Sequence, residues 1–242
     1  MEKLTKDERK ALRKEEWQEQ MKKEQQNGLL KKISWWVGAI VVLVVAFWAI
    51  INFTGSSDQP KKLATLTSLT ANDITTGPRN AKITLVEYAD FQCPACGLYH
   101  PLLKKLLSDF NGRIYFVYRF FPLTSVHKNA LVAAEAAYAA NKQGKFWEMH
   151  DMLYETQKDW AESNNASDTF LAYAKKLNLN IDQFKKDAAA DTTQSFIMSQ
   201  ENEGIKIGVN STPSFFINGK QIENPQGYEA FKALLQQQLN GK

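Results

Sequence analysis

Apolar and polar positions follow three different rhythms along this chain, and each predicts a different kind of element. Residues 33–53 (ISWWVGAIVVLVVAFWAIINF) run for 21 positions without a formal charge. Wound as a helix, such a run reaches ~31 Å and matches a bilayer core. Trp35, Trp36 and Trp48 lie toward its ends, where indole rings suit the lipid–water interface. The pattern predicts one uncleaved transmembrane helix, because a secretory leader has a shorter apolar core and a small-residue cleavage site, for which no convincing candidate follows Phe53. Residues 54–80, rich in Gly, Ser, Thr, Asp and Pro without periodicity, read as a linker.

Beyond the linker the rhythm alternates between strand and helix. Residues 82–89 and 113–121 are short β-branched and aromatic runs that predict buried strands. Between them, Leu98, Leu102, Leu103, Leu106, Leu107 and Phe110 fall on one face of a helix over 94–110. Strand, helix and strand make a βαβ unit with a parallel pair. Ala-rich helical patterns then follow at 128–141, 145–156, 168–177, 182–190 and 192–207, a helical insertion over about 126–207. After Gly208 a strand over 214–217, a turn at Asn218-Gly219 and a second strand through Gln221-Ile222 read as a hairpin, and 228–239 reads as a closing amphipathic helix. The expected plan is a tail over 1–32, a membrane helix over 33–53, a linker over 54–80 and an α/β domain over 81–242.

Charge gives this plan an orientation. Residues 1–32 carry ten Lys or Arg and seven Asp or Glu, with Lys31 and Lys32 against the apolar run, whereas the twenty residues after Phe53 carry only Lys61 and Lys62. By the positive-inside rule the N-terminus is cytoplasmic and the domain lies outside. The tail is rich in helix formers, and its lysines suit lipid headgroups. The net charge of +4 resides mostly in that tail, leaving twenty basic against nineteen acidic residues beyond it. Such balance argues against nucleic acid as a main partner.

The two cysteines, Cys93 and Cys96, stand as Cys93-Pro94-Ala95-Cys96 where a strand ends and a helix begins. The first sulfur then lies at a helix N-terminus, where free N–H groups and the dipole favour thiolate. The second lies one turn on, close enough to resolve a mixed disulfide formed by the first. A zinc site would need about four ligands, and His100, His127 and His150 show no paired metal spacing, so no metal is expected. A purely structural bridge across so short a loop would constrain little of the unfolded chain. In an oxidising compartment, with no other cysteine to pair, redox chemistry is the expected use.

With these elements placed, the chain resembles the thioredoxin superfamily, and more closely its DsbA-like thiol:disulfide oxidoreductases. Val86-Glu-Tyr-Ala-Asp-Phe-Gln-Cys-Pro-Ala-Cys96 is similar to that family's active-site segment, and Gly208-Val-Asn-Ser-Thr-Pro-Ser-Phe-Phe-Ile-Asn-Gly219 to its second signature. The resemblance covers about residues 81–242 and implies a thioredoxin fold with an inserted helical subdomain. It implies a cis Pro213 beside the cysteine pair, with Thr212 offering backbone atoms to an extended polypeptide. It also implies that Glu87 is a buried acid exchanging a proton with Cys96, and that Pro101 kinks the helix. Ala95 stands where strongly oxidising members carry His, so oxidising strength does not follow from the motif. The implied partners are cysteine-containing secreted or envelope proteins and a membrane quinone-linked reoxidase, for a monomer without cofactor. Reductase or isomerase activity, and a non-catalytic peptide-binding chaperone module, are the alternatives.

Overall fold

Period-two alternation in three central strands decides what each face of the sheet carries. The computed structural model describes residues 42–48, 65–66 and 68–241. Its strands are β1 (Ile74–Thr76), β2 (Ile83–Ala89), β3 (Ile114–Phe120), β4 (Ser214–Ile217) and β5 (Lys220–Gln221), in the order β1-β3-β2-β4-β5. β2 and β3 are parallel, while β1 on β3, β4 on β2 and β5 on β4 are antiparallel.

The helices are α1 (Pro94–Asp109), α2 (Ala130–Asn141), α3 (Phe146–Glu155), α4 (Gln157–Trp160), α5 (Ala166–Lys176), α6 (Ile181–Ala188), α7 (Asp191–Lys206) and α8 (Gly227–Leu239). α1 makes the crossover between β2 and β3, and α2 to α7 are all inserted between β3 and β4. This is a thioredoxin-like α/β fold with a helical insertion.

Ile83 and Leu85, Ile114 and Phe116, and Phe215 and Ile217 point to one face, where they pack with Leu103 and Leu106 of α1, Phe110 at its C-cap, and Phe231 and Leu235 of α8. Val86, Tyr88, Val117, Phe121 and Phe216 form the opposite face. Each fully buried side chain of this size contributes about 1.5–3 kcal/mol. A third cluster joins Phe91, Tyr118 and Phe120 to the alanine face of α2 and to Phe146, Met149 and Leu153 of α3. The insertion is therefore docked on the end of the sheet that carries the cysteines. Leu98, on the apolar face of α1 by spacing, is instead 73% exposed.

Two elements escape the sequence pattern. β1 lies within the stretch read as linker, and α4 is a single turn. Gly77, just after β1, has φ +86° and passes so close to the Ile114 carbonyl that a Cβ would sit 2.2 Å from its oxygen. Only glycine fits there. The charged tail and two thirds of the apolar run over 33–53 lie outside the described residues; 42–48 are helical. Among the described residues no helix is long and apolar enough to cross a membrane.

Candidate active site

The loop that delivers Cys93 is held from both sides. Buried Asp90 accepts hydrogen bonds from the backbone N–H groups of Gln92 (2.7 Å) and Leu123 (2.9 Å) and pairs with His127 Nδ1 at 2.7 Å. Gln157 of α4 donates from Nε2 to the carbonyls of Phe91 (2.7 Å) and Cys93 (2.9 Å). Gln92 donates to the Ala161 carbonyl and accepts from the Asn129 N–H. Loop carbonyls that have left the sheet need partners, and the insertion supplies them.

Cys93 is the N-cap residue of α1, with extended backbone and Pro94 at the first helical position, where a missing N–H costs nothing. Its Sγ lies 3.4 Å from the Thr212 carbonyl oxygen, to which the thiol donates. The Thr212–Pro213 peptide bond is cis. The two halves of the fold thus meet at one sulfur, β2–α1 bringing Cys93 and the approach to β4 bringing Thr212 and Pro213.

The two thiols have opposite electrostatic surroundings. A hydrogen bond from Cys96 holds the Cys93 thiol far below its ordinary 9.0, at about 5, against an opposing effect of burial; the backbone N–H groups of Cys96 and Ala95 add to the lowering. Ala95 contributes an amide where it lacks an imidazole. Cys96 is pushed well above 9.0, first by burial and then by its bond to Cys93 and the charges of Glu87 and Cys93. Cys93 is 7% and Cys96 1% exposed, so the more acidic thiol is also the more accessible.

Glu87 shares the face of β2 that carries Ile83 and Leu85, opposite Tyr118 on one side and Phe215 on the other. It is 2% exposed. Burial, helped by the negative charge of Cys93, raises its carboxyl to about 8. A cavity of about 180 Å³ opens on its far side, bounded also by His100, Lys104, His150, Asp151 and Tyr154.

All five residues singled out from the sequence have a place here. Cys93, Cys96, Thr212 and Pro213 converge, and Glu87 lies under the helix that carries the pair. His100 does not face Cys93; it is buried against α3 and bonds to Asp151 at 2.9 Å. Asp90, Gln92 and Gln157 were not apparent as site residues from the pattern. Only the polar Asp90 and Gln92 inside an otherwise apolar approach to the cysteines hinted at them.

The family model described as Thioredoxin matches residues 69–237. The Na(+)/H(+) antiporter NhaA 1 of Salinispora arenicola is 42% identical over 158 residues, which cover 65% of this chain and 23% of that protein. The chain thus spans about a quarter of that curated relative's length. Among solved structures, BdbD from Bacillus subtilis in its oxidised form superposes with a TM-score of 0.66 at 22% identity, covering 74% of this chain and 99% of that one. MdbA, a thiol-disulfide oxidoreductase from Corynebacterium diphtheriae, superposes with a TM-score of 0.57 at 21% identity, covering 76% and 96%. At these identities the likeness is one of fold.

Proposed function

The chain belongs to the thioredoxin family, and from that premise we propose that it is a DsbA-like thiol–disulfide oxidoreductase that oxidises cysteine pairs in secreted or envelope polypeptides. The observation that carries this reading is the asymmetry of the two sulfurs: Cys93 low in pKa, at a helix N-terminus and beside Thr212, Cys96 buried and high.

In the oxidising direction a client thiolate attacks Cys93 Sγ of the Cys93–Cys96 disulfide. The S–S bond breaks and Cys96 leaves with the electron pair. A buried sulfur with a raised pKa is a poor leaving group unless it is protonated, and Glu87, whose burial is the larger cause holding its carboxyl high, is the acid at hand. The client's second thiolate then attacks its own sulfur in the mixed disulfide and expels Cys93 as thiolate. The client has lost two electrons and two thiol protons, and the cysteine pair has gained the two electrons.

Run in reverse, Glu87 accepts the Cys96 proton. Cys93 carries no charge in the mixed disulfide, which removes one of the two causes that hold the Glu87 carboxyl high. More of the carboxyl is then ionised, the form that can accept a proton, at the step that needs it. Glu87→Gln, which can neither give nor take this proton, should slow resolution by Cys96 about 10²-fold and leave the first attack by Cys93 little changed. Stopped-flow transfer to a peptide disulfide separates the two steps; equal slowing of both would remove Glu87 from the mechanism.

The low Cys93 value also supports the direction of electron flow. A depressed folded-state pKa stabilises the reduced chain fully above the unfolded thiol's value near 9.0, and this contribution is lost as pH falls through about 5. Glu87 has the opposite sign, contributing below 4.5 and losing its contribution as pH rises through about 8. At neutral pH the thiolate favours the reduced enzyme over its disulfide, the condition for an oxidant. The lysine asymmetry around residues 33–53 supports an anchor there with the catalytic domain outside, where a membrane quinone-linked reoxidase would restore the disulfide.

A further inference from the structure

Two buried histidines, distant in sequence, meet at one carboxylate on the side of Glu87 away from the sulfurs. His100 comes from α1, and His150 and Asp151 are neighbours on α3. His100 Nε2 lies 2.9 Å and His150 Nδ1 3.2 Å from the same oxygen, Asp151 Oδ1. One ligating atom from each of the three lies within 4.8 Å of the others. The rings are held in place: His150 is edge-on to Tyr118 and Trp147, and His100 stacks on Tyr154. An ion with bonds of ~2.0–2.1 Å to tetrahedral ligands needs ligand–ligand separations near ~3.3–3.4 Å. The separations from Asp151 Oδ1, 2.9 and 3.2 Å, lie just inside that edge.

We infer that His100, His150 and Asp151 form a binding site for a divalent transition-metal ion of the zinc type. Two imidazoles and a carboxylate are a nitrogen-and-oxygen donor set, which selects such an ion over calcium or magnesium. When the ion enters, the nitrogen of each ring that faces Asp151 presents its lone pair to it, and the proton on that nitrogen moves to the ring's other nitrogen. Asp151 binds through Oδ1 while Oδ2 keeps its bond from Lys104 at 2.7 Å, and Lys104 is itself held by Glu155 at 3.0 Å. Such outer partners orient a ligating carboxylate. The cavity of about 180 Å³ at the site has room for the water that completes the shell, given ~30 Å³ per water molecule. The ion would tie α1, which carries the cysteine pair, to α3 of the insertion.

The test uses the full-length chain in its oxidised form without a polyhistidine tag, so that neither Cys93 nor Cys96 can act as a ligand. Calorimetric titration with Zn²⁺ should show one equivalent bound, and bound Zn²⁺ should raise the thermal midpoint as any ligand of the folded state does. Co²⁺ should give a visible spectrum of nitrogen and oxygen ligands. His100→Gln and Asp151→Asn should each weaken Zn²⁺ binding at least about tenfold and abolish the thermal shift. Asp151 is partly exposed, so Asp151→Asn keeps the test decisive if the histidine variant does not fold. Failure of the wild-type chain to bind, or wild-type affinity in the folded Asp151→Asn protein, overturns the site. Neither readout depends on redox activity, so the site can fail while the redox assignment stands.

Discussion

Cys96→Ala is expected to leave the chain covalently attached to its clients, whereas Cys93→Ala is expected to reduce turnover to background and trap nothing. The two sulfurs are not interchangeable. Cys93 is the thiolate at the helix N-terminus, and without it no mixed disulfide forms. Cys96 is the group that clears that intermediate, and with alanine in its place Cys93 holds the client until an outside thiol arrives. Non-reducing electrophoresis of acid-quenched cells should show a ladder of adducts with Cys96→Ala that collapses on reduction. The Cys93→Ala lane should show none. A peptide-binding module whose cysteines merely staple the start of α1 would give no ladder in either lane, and this outcome would remove the enzymatic reading while leaving the fold untouched.

The largest stability effect is expected at the other face of the sheet, at Asp73. Arg119 of β3 is fully buried, and its guanidinium is satisfied on every side. Asp73 accepts from Nε (3.0 Å) and Nη2 (2.9 Å), the Ser68 carbonyl from Nη2 (2.8 Å), and the Tyr88 hydroxyl (2.8 Å) and Glu203 (3.1 Å) from Nη1. This one side chain fastens the segment before β1 and helix α7 to the sheet. Asp73→Ala leaves the buried cation with only the half-buried Glu203 as counter-charge, and a broken buried pair costs about 3–5 kcal/mol. For a domain of this size that lowers the thermal midpoint by roughly 10 °C. Removing both partners, as Asp73→Leu with Arg119→Met, should recover most of the loss, because no buried cation then lacks its carboxylate and Glu203 is partly open to water. A double variant as unstable as the sum of the singles would show that the pair is not coupled.

The parts of this protein with strong local rules were legible before any coordinates. β2, α1, β3 and β4 fall close to their apolar runs, because a β-branched strand buried on both faces or a leucine-striped helix has few alternatives. The cysteine pair at a strand–helix junction placed the reactive sulfur at a helix N-terminus, and Cys93 caps α1. What escaped has its determinants elsewhere in the chain. β1 is three residues long, and only its pairing to the edge of β3 makes it a strand. Arg119 sits in an aromatic run where one charge looked incidental, yet five hydrogen bonds to four residues from three segments converge on it. Gln157 belongs to a single turn of helix whose value lies in reaching back to the carbonyls of Phe91 and Cys93. His100 and His150 carry no metal-like spacing, since the meeting of α1 with α3 is a matter of packing.

The claim at the centre of this account is that Cys93 is an acidic thiolate, the more accessible of the pair, and Cys96 its fully buried resolving partner. Intact spheroplasts, treated first with a membrane-impermeant reductant and then briefly with a membrane-impermeant alkylating reagent between pH 4 and 9, would test it by peptide mapping. The account predicts that Cys93 is labelled without lysis, with a half-maximal rate near pH 5, while Cys96 stays unlabelled throughout. Labelling that requires lysis, a Cys93 midpoint near that of an ordinary thiol, or earlier modification of Cys96 would contradict it.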